Sequence, residues 1–157
     1  MSFAQPSLKG RALRLLSGRE YSRHELERKL KTHEETPGEL AQALDELQAK
    51  GFISEQRVVE SVINRRAAKL GTARIRQELQ GKGLDPQAVT DAVASLKTTE
   101  QARAREVWRK KFGAKSDGVA TDAAERGKQM RFLAARGFGG DVIRRVVSGA
   151  GDDALDE

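Results

Sequence analysis

Apolar residues recur along this chain at spacings that belong to helices. Counted from Leu30, the residues Leu40, Leu44 and Leu47 follow at offsets 10, 14 and 17. From Leu79 the same offsets give Val89, Val93 and Leu96, and from Leu133 they give Ile143, Val147 and Ala150. Steps of four and three residues keep side chains on one face of a helix. The origin residue ends the preceding helix. A basic-glycine turn follows in two copies, Lys82-Gly83 and Arg136-Gly137, and Thr32-His33-Glu34-Glu35 replaces it in the first. The pattern predicts an all-α protein of eight or nine helices. They form three tandem three-helix repeats in an elongated, curved array, because each unit contacts mainly its neighbours. The expected boundaries are residues 1–53, 54–97 and 98–149, with 150–157 as a flexible acidic tail too short and polar to pack.

Local chemistry supports the same division. Ser22-Arg23-His24-Glu25 fits a capping box, in which the serine oxygen takes the third amide and the glutamate reaches back to the cap amide. Thr36-Pro37-Gly38-Glu39 fits another, with proline where its missing N–H costs nothing. Gly51 is expected to end a helix, and Ser54 to cap one that runs through Val58, Val59, Val62 and Ile63 towards Leu70. Gly71 stops that helix, Thr72 caps a short one carrying Ile75 and Leu79, and Asp85-Pro86 opens the next. Thr98 or Thr99 caps a helix from about Glu100 to Phe112. Residues 113–121 read as a polar loop. A helix from about Asp122 to Arg136 follows, and Asp141 starts the last one.

Composition narrows the picture. Aromatic residues are 4% of the chain and charged residues 33%, which suits thin helical layers better than one thick core. The absence of cysteine excludes disulfides and thiolate metal sites. No apolar run approaches the ~20 residues of a membrane span, and the N-terminus lacks a signal-peptide pattern. A cytoplasmic, monomeric protein without a membrane partner is the expectation. The net charge is +6 over the whole chain and −4 over the last eight residues, so residues 1–149 carry +10. That surplus favours a polyanionic partner, either nucleic acid or an acidic protein surface.

Candidate chemistry is sparse. His24 and His33 have no partner at metal-ligand spacing and read as surface residues near helix ends. Around Lys115-Ser116 the glycines of a phosphate loop would fall at Arg109 and Ala114, so that motif fails. Gly137-Phe138-Gly139-Gly140 follows a helix rather than a strand and reads as a turn. Carboxylates are interleaved with bases as ordinary surface pairs are. The chain is expected to be no enzyme and to need no cofactor. Trp108 and Phe112, one turn apart, fit core packing better than stacking on a base.

The basic clusters are the stronger functional signal. Arg65, Arg66, Lys69, Arg74, Arg76 and Lys82 straddle a turn against the single acid Glu78. Two helices could present them towards one surface. Arg103, Arg109 and Lys110 lie in a second cluster, and Arg136, Arg144 and Arg145 in a third. All twelve are candidate partner-binding residues. Arginine can grip carboxylates or phosphates through a bidentate fork, though a solvated helical face shows the same composition.

Four segments in order carry a resemblance: ALRLLSGREYSRHELERKL, LQAKGFISEQRVVESVINRR, GTARIRQELQGKGLDPQAVTDAV and MRFLAARGFGGDVIRRVV. From about Ala12 to Val147 the chain resembles the bacterial RecX regulatory family. The resemblance implies three tandem three-helix repeats and a role as modulator, mainly inhibitor, of the RecA recombinase. Such a protein binds the RecA filament on DNA and interferes with ATP hydrolysis and strand exchange. The alternative is a nucleic-acid-binding helical module that grips single- or double-stranded DNA through its basic turns.

Overall fold

The computed structural model describes residues 5–114 and 122–149. Residues 115–121 of the expected polar loop, the acidic tail and Ala150 lie outside the described residues. Among the described residues there are nine α-helices and no strand. They are α1 (Leu8–Gly18), α2 (Arg23–Leu30), α3 (Glu39–Ala49), α4 (Glu55–Arg66), α5 (Thr72–Gly81), α6 (Pro86–Lys97), α7 (Glu100–Phe112), α8 (Ala123–Ala135) and α9 (Gly140–Val147). A single 3₁₀ turn, Lys31–His33, follows α2.

Most starts and stops follow the residues. Ser22 and Glu25 form the capping box: the Ser22 hydroxyl accepts from the Glu25 amide at 3.1 Å, and the Glu25 carboxylate accepts from the Ser22 amide at 3.0 Å. Ser54 and Asp85 cap α4 and α6 through their side chains, with Pro86 in the first turn of α6. Gly51, Gly83 and Gly137 take φ values of +82°, +67° and +91°, which close their helices at little steric cost.

The box expected at Thr36–Glu39 does not form. Gly38, at φ +88°, occupies the cap position of α3 and has no side chain to cap with, so the acceptor comes from further back in the chain. The Glu34 carboxylate accepts from the amides of Gly38 at 3.3 Å and Leu40 at 3.2 Å. Three other boundaries move by a few residues. α4 closes at Arg66, whose carbonyl takes the Lys69 and Leu70 amides. Thr72 lies inside α5, capped by the Gly71 backbone, and Asp141 lies inside the first turn of α9.

Three apolar clusters form, one for each helix triplet. Leu26, Leu44 and Leu47 centre the first, Val62, Ile75 and Leu79 the second, and Ala104 and Leu133 the third, all wholly buried. The residues at offsets 10, 14 and 17 are buried in the first two units, and Ile143 and Val147 in the third. Trp108 packs against the third cluster and donates its indole N–H to the buried Gln129 at 2.9 Å. Phe112 meets Phe132 edge to face, with centroids 5.3 Å apart.

Adjoining units are joined by the turn that follows the middle helix. The last carbonyls of a helix have no donor within it, and the first amides of a helix have no acceptor. Here a donor at the start of one unit's helix supplies the free carbonyl of the next unit across the boundary. The Lys82 carbonyl, at the end of α5, accepts from the Ser22 hydroxyl at the start of α2 at 2.6 Å. The Arg136 carbonyl, at the end of α8, accepts from the Gly71 amide at the start of α5 at 2.7 Å. Ser22 and Gly71 each stand eight residues before the origin leucine of their unit, and Lys82 and Arg136 each stand three after theirs. The two junctions are therefore the same device with a hydroxyl in one and a backbone amide in the other.

Candidate functional site

The junctions decide what becomes of the basic residues. Lys82 lies at the first junction with its side chain 12% exposed, and its ammonium pairs with Glu25 at 3.2 Å. Glu25 also receives Arg19 at 2.8 Å. Burial pushes the Glu25 carboxyl up, but the Arg19 bond, the Ser22 amide and Lys82 outweigh it and bring its pKa to about 2. Ordinary glutamate in the unfolded chain titrates near 4.5. The carboxylate thus stabilises the fold above that value, and the contribution is lost as pH falls from about 4.5 towards 2. A Glu25→Gln variant is expected to be less stable than the parent at neutral pH and to lose less on acidification. Urea unfolding at neutral and acid pH measures both; a parallel loss in the two proteins would remove this assignment.

At the second junction the Arg74 guanidinium donates to the Ala135 carbonyl at 2.8 Å, and the Ala73 amide donates to Gly137 at 3.2 Å. Arg136 stacks over the Phe132 ring at 4.4 Å. Arg103 is the hub. Its Nε donates to the Thr99 hydroxyl at 3.1 Å. One terminal nitrogen donates to the carbonyls of Ala67 and Leu70 at 3.0 and 2.7 Å. The other donates to the Thr72 hydroxyl and the Leu96 carbonyl at 3.2 and 3.1 Å. All five guanidinium N–H groups are thereby satisfied within the chain. Burial lowers the Arg103 pKa, and the neighbouring Glu100 opposes that shift. Glu100 is itself buried and accepts from the Thr72 amide at 3.2 Å.

The expected single surface over residues 65–82 is therefore divided. Lys82 turns to the first unit and Arg74 to the third, because the Glu25 carboxylate and the Ala135 carbonyl that they reach lie there. Arg66 pairs with Glu78 at 3.4 Å across α4 and α5. Arg65, Lys69 and Arg76 are exposed and make no ion pair among the described residues. Arg76 and Lys97 border a groove of about 540 Å³ between α5 and α6, over Leu84, Val89 and Val93, with no carboxylate in its lining. In the third unit Arg109 pairs with Glu106 at 2.5 Å and Arg144 with Asp141. Arg145 reaches Gln101 at 3.4 Å, and Lys110 is exposed.

This arrangement can present positive charge to a partner. No group of three His, Asp or Glu side chains suited to a metal ion occurs among the described residues. No described helix is long and apolar enough to cross a membrane. The residues that hold the junctions, Ser22, Glu25, Glu100 and Gly71, were absent from the charge-based candidates. The capping box gave a local sign of two of them, Ser22 and Glu25.

Comparison with known proteins gives one consistent answer. Three family models match in order: RecX, first three-helix domain, over residues 9–47; RecX, second three-helix domain, over 54–93; and RecX, third three-helix domain, over 98–147. The protein named Regulatory protein RecX of Leptothrix cholodnii is 53% identical, over 91% of this chain and 88% of that one. Its namesake in Herminiimonas arsenicoxydans is 49% identical, over 94% and 95%. The crystal structure of RecX from Lactobacillus salivarius superposes with a TM-score of 0.75 over 90% of this chain and 93% of that one. At 19% identity that likeness concerns the fold.

Proposed function

The chain belongs to the RecX family, and from that membership we propose that it is a regulator, not an enzyme, that binds the RecA recombinase filament and inhibits its ATPase and strand exchange. Identity of 53% over nearly the full length to a protein named Regulatory protein RecX, together with three domain matches in order, is the observation that carries this reading. A cytoplasmic site of action goes with it. Three units in series, each presenting helices, give a surface able to touch successive subunits of a filament. Within it, Arg65, Lys69 and Arg76 are the middle-unit cations left for an acidic partner, because the other three bases of that cluster are engaged internally. Arg103 is assigned to the scaffold in this reading, because its donors are engaged within the chain.

The test is RecA ATPase on single-stranded DNA with this protein added. Inhibition near stoichiometric amounts is expected. Replacing Arg65, Lys69 and Arg76 together by glutamate is expected to raise the half-inhibitory concentration about ten-fold or more, since rim charges act on encounter and each lost pair is modest. The thermal midpoint should stay within a few degrees of the parent. No inhibition at a large excess of the parent would end the proposal. The DNA-binding alternative is read in the same samples: the logarithm of the affinity for DNA should fall linearly with log salt if the same cations grip phosphates.

A further inference from the structure

A second unpaired cationic site lies in the first unit, where the sequence showed no dense cluster. α1 and α2 enclose a cleft of about 670 Å³ at the entry to the unit. Arg11, Arg14, Lys29 and His33 line it, and Leu15 and Leu30 supply its apolar wall. No carboxylate lines it, although the chain holds 23 acids and pairs many of its other surface bases. Arg11, Arg14 and Lys29 make no ion pair among the described residues. Arg11 reaches only the Gln5 side chain, at 3.2 Å. The start of α1 also faces the cleft through Ser7 and Gly10, and its first turn carries no acid, so its dipole adds to the positive field.

We propose that this cleft is a docking site for an acidic, amphipathic peptide segment of a partner protein. Such a segment would set a leucine-like side chain against Leu15 and Leu30 and its carboxylates against Arg11, Arg14 and Lys29. Charge complementarity calls for an anion, and the apolar wall selects among anions. A phosphodiester backbone would leave the part-exposed Leu15 facing water above the buried Leu30, and no aromatic side chain lines the cleft on which a base could stack. A peptide satisfies both halves, and the volume lies within the ~300–1,000 Å³ typical of ligand clefts. The site stands apart from the middle-unit cations and does not depend on which filament or protein supplies the segment.

The test uses the full chain and a fluorescein-labelled peptide of repeated Glu-Leu-Asp units, followed by anisotropy. A peptide with serine for leucine and a single-stranded oligothymidine serve as comparisons. The leucine peptide is expected to bind about ten-fold tighter than the serine peptide, a gap that one well-filled apolar contact supplies. The double variant Arg14→Glu, Lys29→Glu should lose at least that much affinity with its circular dichroism and thermal midpoint unchanged. The Arg65, Lys69 and Arg76 triple variant should bind the peptide as the parent does. Equal binding of the two peptides would overturn the proposal, as would an unaffected double variant. So would a double variant that loses only the oligonucleotide, which would make the cleft a nucleic-acid site.

Discussion

Replacing Gly71 by alanine is expected to destabilise the protein by about 3 kcal/mol, the upper end of the ordinary cost of overpacking. A Cβ at this position would sit 2.3 Å from the carbonyl carbon and oxygen of Gly137 and 2.4 Å from the Phe138 nitrogen. These are backbone atoms, so no side chain can swing away. The third unit would have to retreat, breaking the Gly71–Arg136 and Ala73–Gly137 bonds at 2.7 and 3.2 Å. In a chain of this size the midpoint should fall by roughly 10 °C.

The loss should also be local. Trp108 is the single tryptophan and packs in the third cluster, so its fluorescence follows the third unit alone. Far-ultraviolet circular dichroism follows all the helices. In the parent the two transitions should coincide. In Gly71→Ala the Trp108 transition should move below the other, as expected when an interface between repeats is weakened. Gly81→Ala is the counterpart: nothing lies within 4 Å of its added Cβ, and it ends a helix with ordinary φ. That variant should be stabilised by about 0.5 kcal/mol. Equal behaviour of the two alanine variants would mean that the close approach at Gly71 does not hold the third unit.

This glycine marks the limit of what the chain discloses. The repeat, its origin leucines and its basic-glycine turns were legible because each depends on residues within one helix and its turn. The capping box at Ser22–Glu25 was legible for the same reason. The cap of α3 was misplaced because a forward scan from Thr36 finds Glu39, whereas the working carboxylate, Glu34, precedes the turn. Gly71 read as a helix stop, which it is. Its tighter constraint comes from Gly137, which is 66 residues away.

The orientation of the candidate cations follows from one physical cause. Density of charge was visible, but direction was not. A base turns to solvent, to a carbonyl or to a carboxylate according to which acceptor its tertiary neighbour offers. Arg74 finds the Ala135 carbonyl and Lys82 finds Glu25, whereas Arg65 and Lys69 find no acid. The cleft bounded by Arg11, Arg14 and Lys29 was missed because its cations come from two helices and never form a run.

Arg103→Met should cost about 3 kcal/mol, because it strips five hydrogen bonds from a partly buried site, each worth about 1 kcal/mol before screening. Methionine keeps much of the stem's packing, so the loss reports the guanidinium. The carbonyls of Ala67, Leu70 and Leu96 would be left without this donor where the second unit meets α7. Lysine is expected to recover less than half of the loss. Its three donors radiate from one nitrogen, while the acceptors surround a planar fan. Urea midpoints by circular dichroism and by Trp108 fluorescence measure both variants, and a lysine variant as stable as the parent would show that charge alone suffices. The same pair separates scaffold from contact. If Arg103 acts only through the junction, the RecA inhibition proposed for this chain should return in Arg103→Met on cooling to where the variant is folded. The variant with glutamate at 65, 69 and 76, folded throughout, should not recover. Failure of the cooled, folded Arg103→Met protein to inhibit would instead place Arg103 at the partner surface.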